Sequence, residues 1–204
     1  LHLSSAASDV YKRQVMGDRI ECGTFCVAAT ISKGNLKIKG FDPKLINTEL
    51  NLLKKVGAKI KINEKLISIA GPEKIKPIKN IVTKEWPGVA TDMQSQLMVL
   101  MCRANGKSTI TENIFENRFL HVGELQRLGA DIQVKKNKAI IRGNTKFVGA
   151  EVMSSDLRAS VALVLAAIIS NGKSTINRIY HLDRGYEKIE KKLTKIGVNI
   201  KRIS

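Results

Sequence analysis

The chain has 204 residues, 43% of them hydrophobic, which is enough apolar material for one large core or two small ones. Its formal net charge of +17 raises nucleic acid as a partner, but the lysines are spread over solvated faces and aromatics make up only 4% of the chain, so a sequence-reading nucleic-acid binder is not the expectation. The longest apolar run, residues 161–169, falls short of the roughly 20 residues that cross a hydrocarbon core, so no membrane span is expected, and three cysteines supply neither a disulfide framework nor two ligand pairs for zinc. Buried thiols in a cytoplasmic protein are the expectation, with no metal bound.

Residues 1–14 stand apart. No hydrophobic periodicity runs through them, the apolar stretch of a signal peptide is missing, and SDVYKRQ at 8–14 looks like a translated sequencing adapter. They are expected to be a non-native, disordered tail.

From residue 15 onward the chain repeats itself. GNLKIKGFDPKLINTELNLLKKVGAKI at 34–60, GKSTITENIFENRFLHVGELQRLGADI at 106–132 and GKSTINRIYHLDRGYEKIEKKLTKIGVNI at 172–200 share one order: glycine, strand, charged elbow, helix, closing glycine. The copies recur about every 70 residues, the signature of one supersecondary unit used three times. This reading gives one α/β domain over 15–204, in modules of 15–71, 72–144 and 145–204.

In chain order, module one opens with a strand at 19–21 and a helix at 23–32 that is apolar on nearly every side, hence buried. A strand at 35–40, an amphipathic helix begun by Pro43, and a hairpin at 58–69 follow, giving βαβαββ. Module two repeats the order with a strand to Thr83, a loop through Trp86, Pro87 and Gly88, a buried helix at 92–103, a strand at 108–112, a surface helix closed by Gly129, and a hairpin at 131–142. Module three has a strand at 149–153, a buried helix at 156–170, a strand at 174–178, a helix at 186–196 and one last strand at 199–203. It is one strand short of the pattern.

Three apolar helices wrapped by sheet and surface helices are expected to pack about a pseudo-threefold with their N-termini side by side. Each helix start carries about half a positive charge and unpaired backbone amides, so that end of the domain attracts anions. Charged residues gather there. Asp92 opens the second buried helix and Asp156 the third, where an aspartate caps amides in the ordinary way. Arg158, in the first turn of the third, opposes the helix dipole and calls for a compensating anion, either Asp156 or a bound ligand. The elbows add Arg118 in IFENRF and Arg184 in DRGY, whose guanidinium forks suit carboxylate and phosphate.

The strings DRIECGTF, TDMQSQ, ITENIFENRFLHVGEL, SSDLRAS and IYHLDRGYEKIE resemble UDP-N-acetylglucosamine 1-carboxyvinyltransferases, members of the enolpyruvyl transferase family, over residues 15–204. The resemblance implies an inverse α/β prism of three βαβαββ modules, with substrates held between two such domains. This chain would be the C-terminal domain, half of an active site, inactive by itself and partnered by a missing N-terminal domain that carries the proton donor.

The substrates implied are UDP-N-acetylglucosamine and phosphoenolpyruvate, in the first committed step of peptidoglycan synthesis, with no cofactor. Asp92 would bind the 3-hydroxyl of the sugar as its base, and Ile114 would touch the nucleotide sugar through its backbone. Arg118, Arg158 and Arg184 would grip phosphoenolpyruvate, and Asp156 would contact the reacting centre. The empty strand position in module three would be filled by the family's N-terminal strand. A shikimate-type enolpyruvyl transferase fragment, and a non-catalytic domain binding nucleotide sugar or nucleic acid, are the alternatives.

Overall fold

A computed structural model describes residues 15–203; the adapter-like tail at 1–14 lies outside the described residues. Module one contains α1 (Arg19–Ile31), β1 (Asn35–Lys39), α2 (Asn47–Lys55), β2 (Lys59–Asn63) and β3 (Leu66–Ala70). Module two contains β4 (Asn80–Val82), α3 (Gln94–Arg103), β5 (Lys107–Thr111), α4 (Val122–Arg127), β6 (Asp131–Lys135) and β7 (Lys138–Arg142), the complete βαβαββ. Module three contains β8 (Glu151–Met153), α5 (Leu157–Ile168), β9 (Thr175–Asn177), α6 (Tyr180–Asp183) and α7 (Ile189–Lys195).

The helices α1, α3 and α5 pack on one another at the centre. In α3 every side chain from Gln94 to Cys102 is buried, and in α5 the buried run is Ala159 to Ala166, as expected for helices apolar on all sides. Each is walled by its own sheet: β1-β3-β2, β4-β5-β7-β6 and β8-β9. Within the first sheet Ile67 and Ile69 of β3 point to the core, while Lys37 and Lys61 flank Ser68 on the other face. The period-2 pattern read from 58–69 therefore fixes which face is wet.

The closing glycines have a common physical cause. Gly57, Gly129 and Gly197 all take positive φ (109°, 100° and 95°) just past α2, α4 and α7. In each case the glycine N–H and the next N–H turn back onto carbonyls of the last helical turn, for example Gly57 to Lys54 at 3.0 Å and Ala58 to Leu53 at 3.0 Å. This Schellman closure satisfies carbonyls that the helix leaves unpaired and favours glycine at the left-handed position.

Three expectations about individual elements are corrected. Residues 19–21 are helix, not strand, because Asp18 accepts hydrogen bonds from the N–H groups of Ile20 and Glu21 at 2.7 and 3.2 Å and starts α1 early. The surface helix of module three begins at Ile189, not Tyr186, because Lys188 adopts a left-handed backbone (φ 46°) that no continuous helix allows. Residues 199–203 form no strand. In the two sheets that contain a hairpin the first hairpin strand (β2 or β6) pairs with the second (β3 or β7), and it is the second that pairs with β1 or β5. Among the described residues nothing occupies that middle position beside β9, so 199–203 has no ladder to join.

No helix among the described residues is long and apolar enough to cross a membrane. Cys22, Cys26 and Cys102 are free and buried. A hydrogen bond with Cys22, reinforced by burial, raises the Cys26 thiol, and burial pushes that of Cys102 up to about 12, so neither is a ready thiolate nucleophile.

Candidate active site at the helix starts

The N-terminal turns of the three central helices converge on a buried polar knot. Gln96 of α3 donates through Nε2 to the hydroxyl of Thr24 in α1 at 3.2 Å, and Ser95 donates to the carbonyl of Arg158 in α5 at 3.1 Å. Tyr186, from the loop after Arg184, brings its hydroxyl to 2.8 Å from that of Thr24, and burial pushes its pKa up to about 12. Helices packed on one another and tied together near their starts in this way run in the same direction. Their positive ends add at one face of the domain.

Above the knot lies a cavity of about 160 Å³. Each central helix contributes to its wall near its start: Asp18 and Ile20 from α1, Asp92 and Gln96 from α3, Leu157 and Arg158 from α5. Gly185 and Tyr186 close the side formed by the third elbow. A Cβ on Gly185 would sit 2.9 Å from the Leu157 side chain, so glycine is what allows the elbow to press so near.

Asp92 stands at the rim in the short 3-10 turn Thr91–Met93 before α3. Arg158 Nε donates to its Oδ1 at 2.8 Å, with a second contact from Nη2, and Arg118 Nη1 approaches the same oxygen at 3.5 Å. The compensating anion that the sequence demanded for Arg158 is therefore Asp92, from another module, and not Asp156. All the guanidinium contacts fall on Oδ1, and Oδ2 accepts no hydrogen bond among the described residues. The side chain of Asp92 is 46% exposed, so a free carboxylate oxygen faces the opening between two cations.

The other expected residues divide. Arg118 lies with its guanidinium carbon 4.2 Å from the centre of the Phe115 ring and is drawn into the cluster. Arg184 is exposed at the end of α6, beside the wall residues Gly185 and Tyr186, and none of the described residues hydrogen-bonds to its side chain. Asp156 caps α5, accepting from the N–H groups of Arg158 and Ala159 at 2.7 and 3.0 Å through Oδ1. Ile114 donates its N–H to Glu112 at 2.9 Å, at the mouth of the second elbow.

Glu112 and Thr91, on either side of this cluster, escaped the sequence reading, as did Tyr186. A signal was present in the repeat: the first residue past the second strand is Gly40 in module one and Arg178 in module three, and only module two has a carboxylate there.

Similarity to known proteins follows the same outline. The chain matches the family described as EPSP synthase (3-phosphoshikimate 1-carboxyvinyltransferase) over residues 5–193. It is 60% identical over 190 residues to a UDP-N-acetylglucosamine 1-carboxyvinyltransferase of Pelagibacter ubique, covering 93% of this chain and 45% of that protein. It is 48% identical, with the same coverage, to the protein of that name from Desulfosudis oleivorans. The chain thus spans about half the length of the curated relatives it matches. Among solved structures, the enolpyruvyl transferase NikO of Streptomyces tendae superposes with a TM-score of 0.83 at 27% identity, over 92% of this chain and 44% of that one. An EPSP synthase from Acinetobacter baumannii has a TM-score of 0.76 at 19% identity, covering 94% and 48%, and shares the fold. A carboxylate between two arginines, at the joined starts of three central helices, thus sits in a chain that belongs to the EPSP synthase family of enolpyruvyl transferases.

Proposed function

We propose that this chain is the C-terminal part of a UDP-N-acetylglucosamine 1-carboxyvinyltransferase, a cytoplasmic enzyme of peptidoglycan synthesis, and that its helix-start face is one wall of the active-site cleft. The observation that carries the reading is Asp92: a carboxylate with one oxygen held by Arg158 and Arg118 and the other open to the rim. The 60% identity to the Pelagibacter ubique protein supports the choice of substrates.

The chemistry suits that arrangement. Asp92 accepts the proton of the sugar 3-hydroxyl as its oxygen bonds to C2 of phosphoenolpyruvate, while C3 gains a proton from the opposite side of the cleft. In the second step C3 gives up a proton, the C2–O bond to phosphate breaks, and inorganic phosphate leaves with the enol ether restored. Negative charge moves from carboxylate and phosphate through the intermediate in both steps. Preorganised guanidinium groups at the positive ends of three helices stabilise that charge without reorganising. Arg184, unpaired at the rim among the described residues, is available to the carboxylate or phosphate of the substrate.

Binding groups on a single wall cannot hold two substrates in attack geometry. The 204-residue chain alone is therefore expected to release no phosphate. The test grafts residues 15–204 in place of the matching segment of the Pelagibacter ubique relative. Phosphate release with phosphoenolpyruvate and UDP-N-acetylglucosamine supports the reading. Turnover with shikimate 3-phosphate instead would shift the chain to the shikimate-type reaction.

A further inference from the structure

We propose that Glu112 is a positioning residue: it locks the segment carrying Asp92 to the elbow carrying Arg118, and so sets the distance between base and clamp. The inference rests on the function proposed above, and its structural half can be tested without it.

Glu112 is the first residue past β5 and is 3% exposed. A carboxylate that deep is tolerated only when its oxygens are hydrogen-bonded, and here four donors reach it. Oε1 accepts from the Thr83 hydroxyl at 2.8 Å, the Ile114 N–H at 2.9 Å and the Phe115 N–H at 3.2 Å. Oε2 accepts from the Thr91 hydroxyl at 2.9 Å. One side chain thereby joins the end of β4, the turn before α3 and the start of the second elbow.

Those attachments lead directly to the site. Thr91 is the neighbour of Asp92. Phe115 is the ring beneath Arg118, and Arg118 reaches back to Asp92. The path from Glu112 through Thr91 to Asp92, across to Arg118 and Phe115, and back to Glu112 is a closed circuit of contacts. A second tie, from the Asn113 N–H to the Thr83 hydroxyl at 3.0 Å, stiffens the elbow from the same strand end. In modules one and three the residue at that place, Gly40 or Arg178, takes positive φ (82° and 57°) and turns the chain through its backbone, whereas Glu112 does not and holds its elbow through its side chain. Its presence in the one module whose elbow meets Asp92 points to the site.

Because Thr91 can turn its hydroxyl to accept as well as donate, an amide at 112 keeps the circuit. Three substitutions separate the possibilities, made both in the 204-residue chain and in the Pelagibacter graft. Thr91→Val keeps the shape and cuts one tie, Glu112→Ala cuts all four, and Glu112→Gln keeps the geometry.

In the 204-residue chain, hydrogen exchange at the Ile114 and Phe115 amides is slow in the parent and in Glu112→Gln, and speeds up in Glu112→Ala. Equal exchange in all three overturns the lock whatever the enzyme does. In the graft, Thr91→Val leaves Glu112 Oε2 without its donor and melts somewhat lower, yet well below that melt it lowers kcat by about 10- to 100-fold, the scale of a misplaced reacting group, with KM little changed. Glu112→Gln recovers most of the loss seen in Glu112→Ala. An active graft whose Thr91→Val variant keeps the parental kcat refutes the positioning role alone. A parent graft without turnover refutes the proposed function and leaves the exchange result to judge the lock.

Discussion

Arg158 Nε donates to Oδ1 of Asp92 at 2.8 Å, joining the third module to the second across 66 residues of sequence. The pair is only partly covered, with side-chain exposures of 31% and 46%, so screening by solvent limits its value to fold stability to about 1 kcal/mol or less. Its value lies in holding a carboxylate oxygen and a cation at the place where charge moves. In the Pelagibacter graft, Arg158→Lys should therefore fold normally yet lose about 100-fold in turnover, because an ammonium cannot reproduce the fork. Phosphate-release kinetics together with thermal melts check this, and a fully active lysine variant would reduce the pair to a generic charge contact.

Arg184 differs from Arg118 in a way that kinetics and melting can separate. It is exposed and has no side-chain hydrogen bond among the described residues, so Arg184→Ala should leave the melting temperature where it was. The same variant should lose roughly 2 to 4 kcal/mol of transition-state stabilisation in the graft, the usual scale for one preorganised donor. Arg118→Ala, by contrast, also removes the stack on Phe115 and should melt lower. Unimpaired turnover in Arg184→Ala would assign the third elbow a purely structural part.

His121 makes stability depend on pH. It is 1% exposed, its Nε2 has no hydrogen-bond partner among the described residues, and burial lowers its pKa to about 4 from 6.5, with Asp156 pulling the other way. With the folded pKa depressed, the unfolded chain binds the extra proton first. Stability from this group is complete above pH 6.5 and is lost as the pH falls from there to about 4. The full loss is roughly 3 kcal/mol. Urea unfolding at pH 7 and pH 4.5 measures it, and His121→Phe should flatten the difference; an unchanged slope would trace the acid sensitivity to other groups.

The open side of β9 should accept a strand. β1 and β5 each have a hairpin strand at the position that is empty beside β9 among the described residues, and an unpaired edge of this kind templates pairing. A peptide taken from the N-terminal end of the Pelagibacter relative should raise the melting temperature of the 204-residue chain. At about 100 times its dissociation constant it adds about 2.7 kcal/mol by mass action. A melting point indifferent to saturating peptide would show that 199–203 is displaced for some other reason.

Much of the architecture was legible in the chain itself. The threefold repeat, the helices apolar on every side and the closing glycines at 57, 129 and 197 follow from local rules. Hydrophobic period sets which faces are buried, and a helix end that needs a left-handed residue selects glycine. Asp92, Arg118 and Arg158 were likewise visible as charges at helix starts and elbows, because a cation at a helix N-terminus needs a partner wherever it comes from. What that partner was could not be read locally. Asp156 is two residues from Arg158 but caps the backbone, while Asp92 comes from another module once the three helix starts are brought together. The same holds for Glu112, an ordinary acidic residue in sequence, whose four donors arrive from three separate segments. The start of α1 at Arg19 and the missing ladder at 199–203 also belong to the tertiary structure, since a cap needs its actual backbone geometry and a strand needs a neighbour. Local pattern determined the modules. Only packing them about a common axis decided which charges meet.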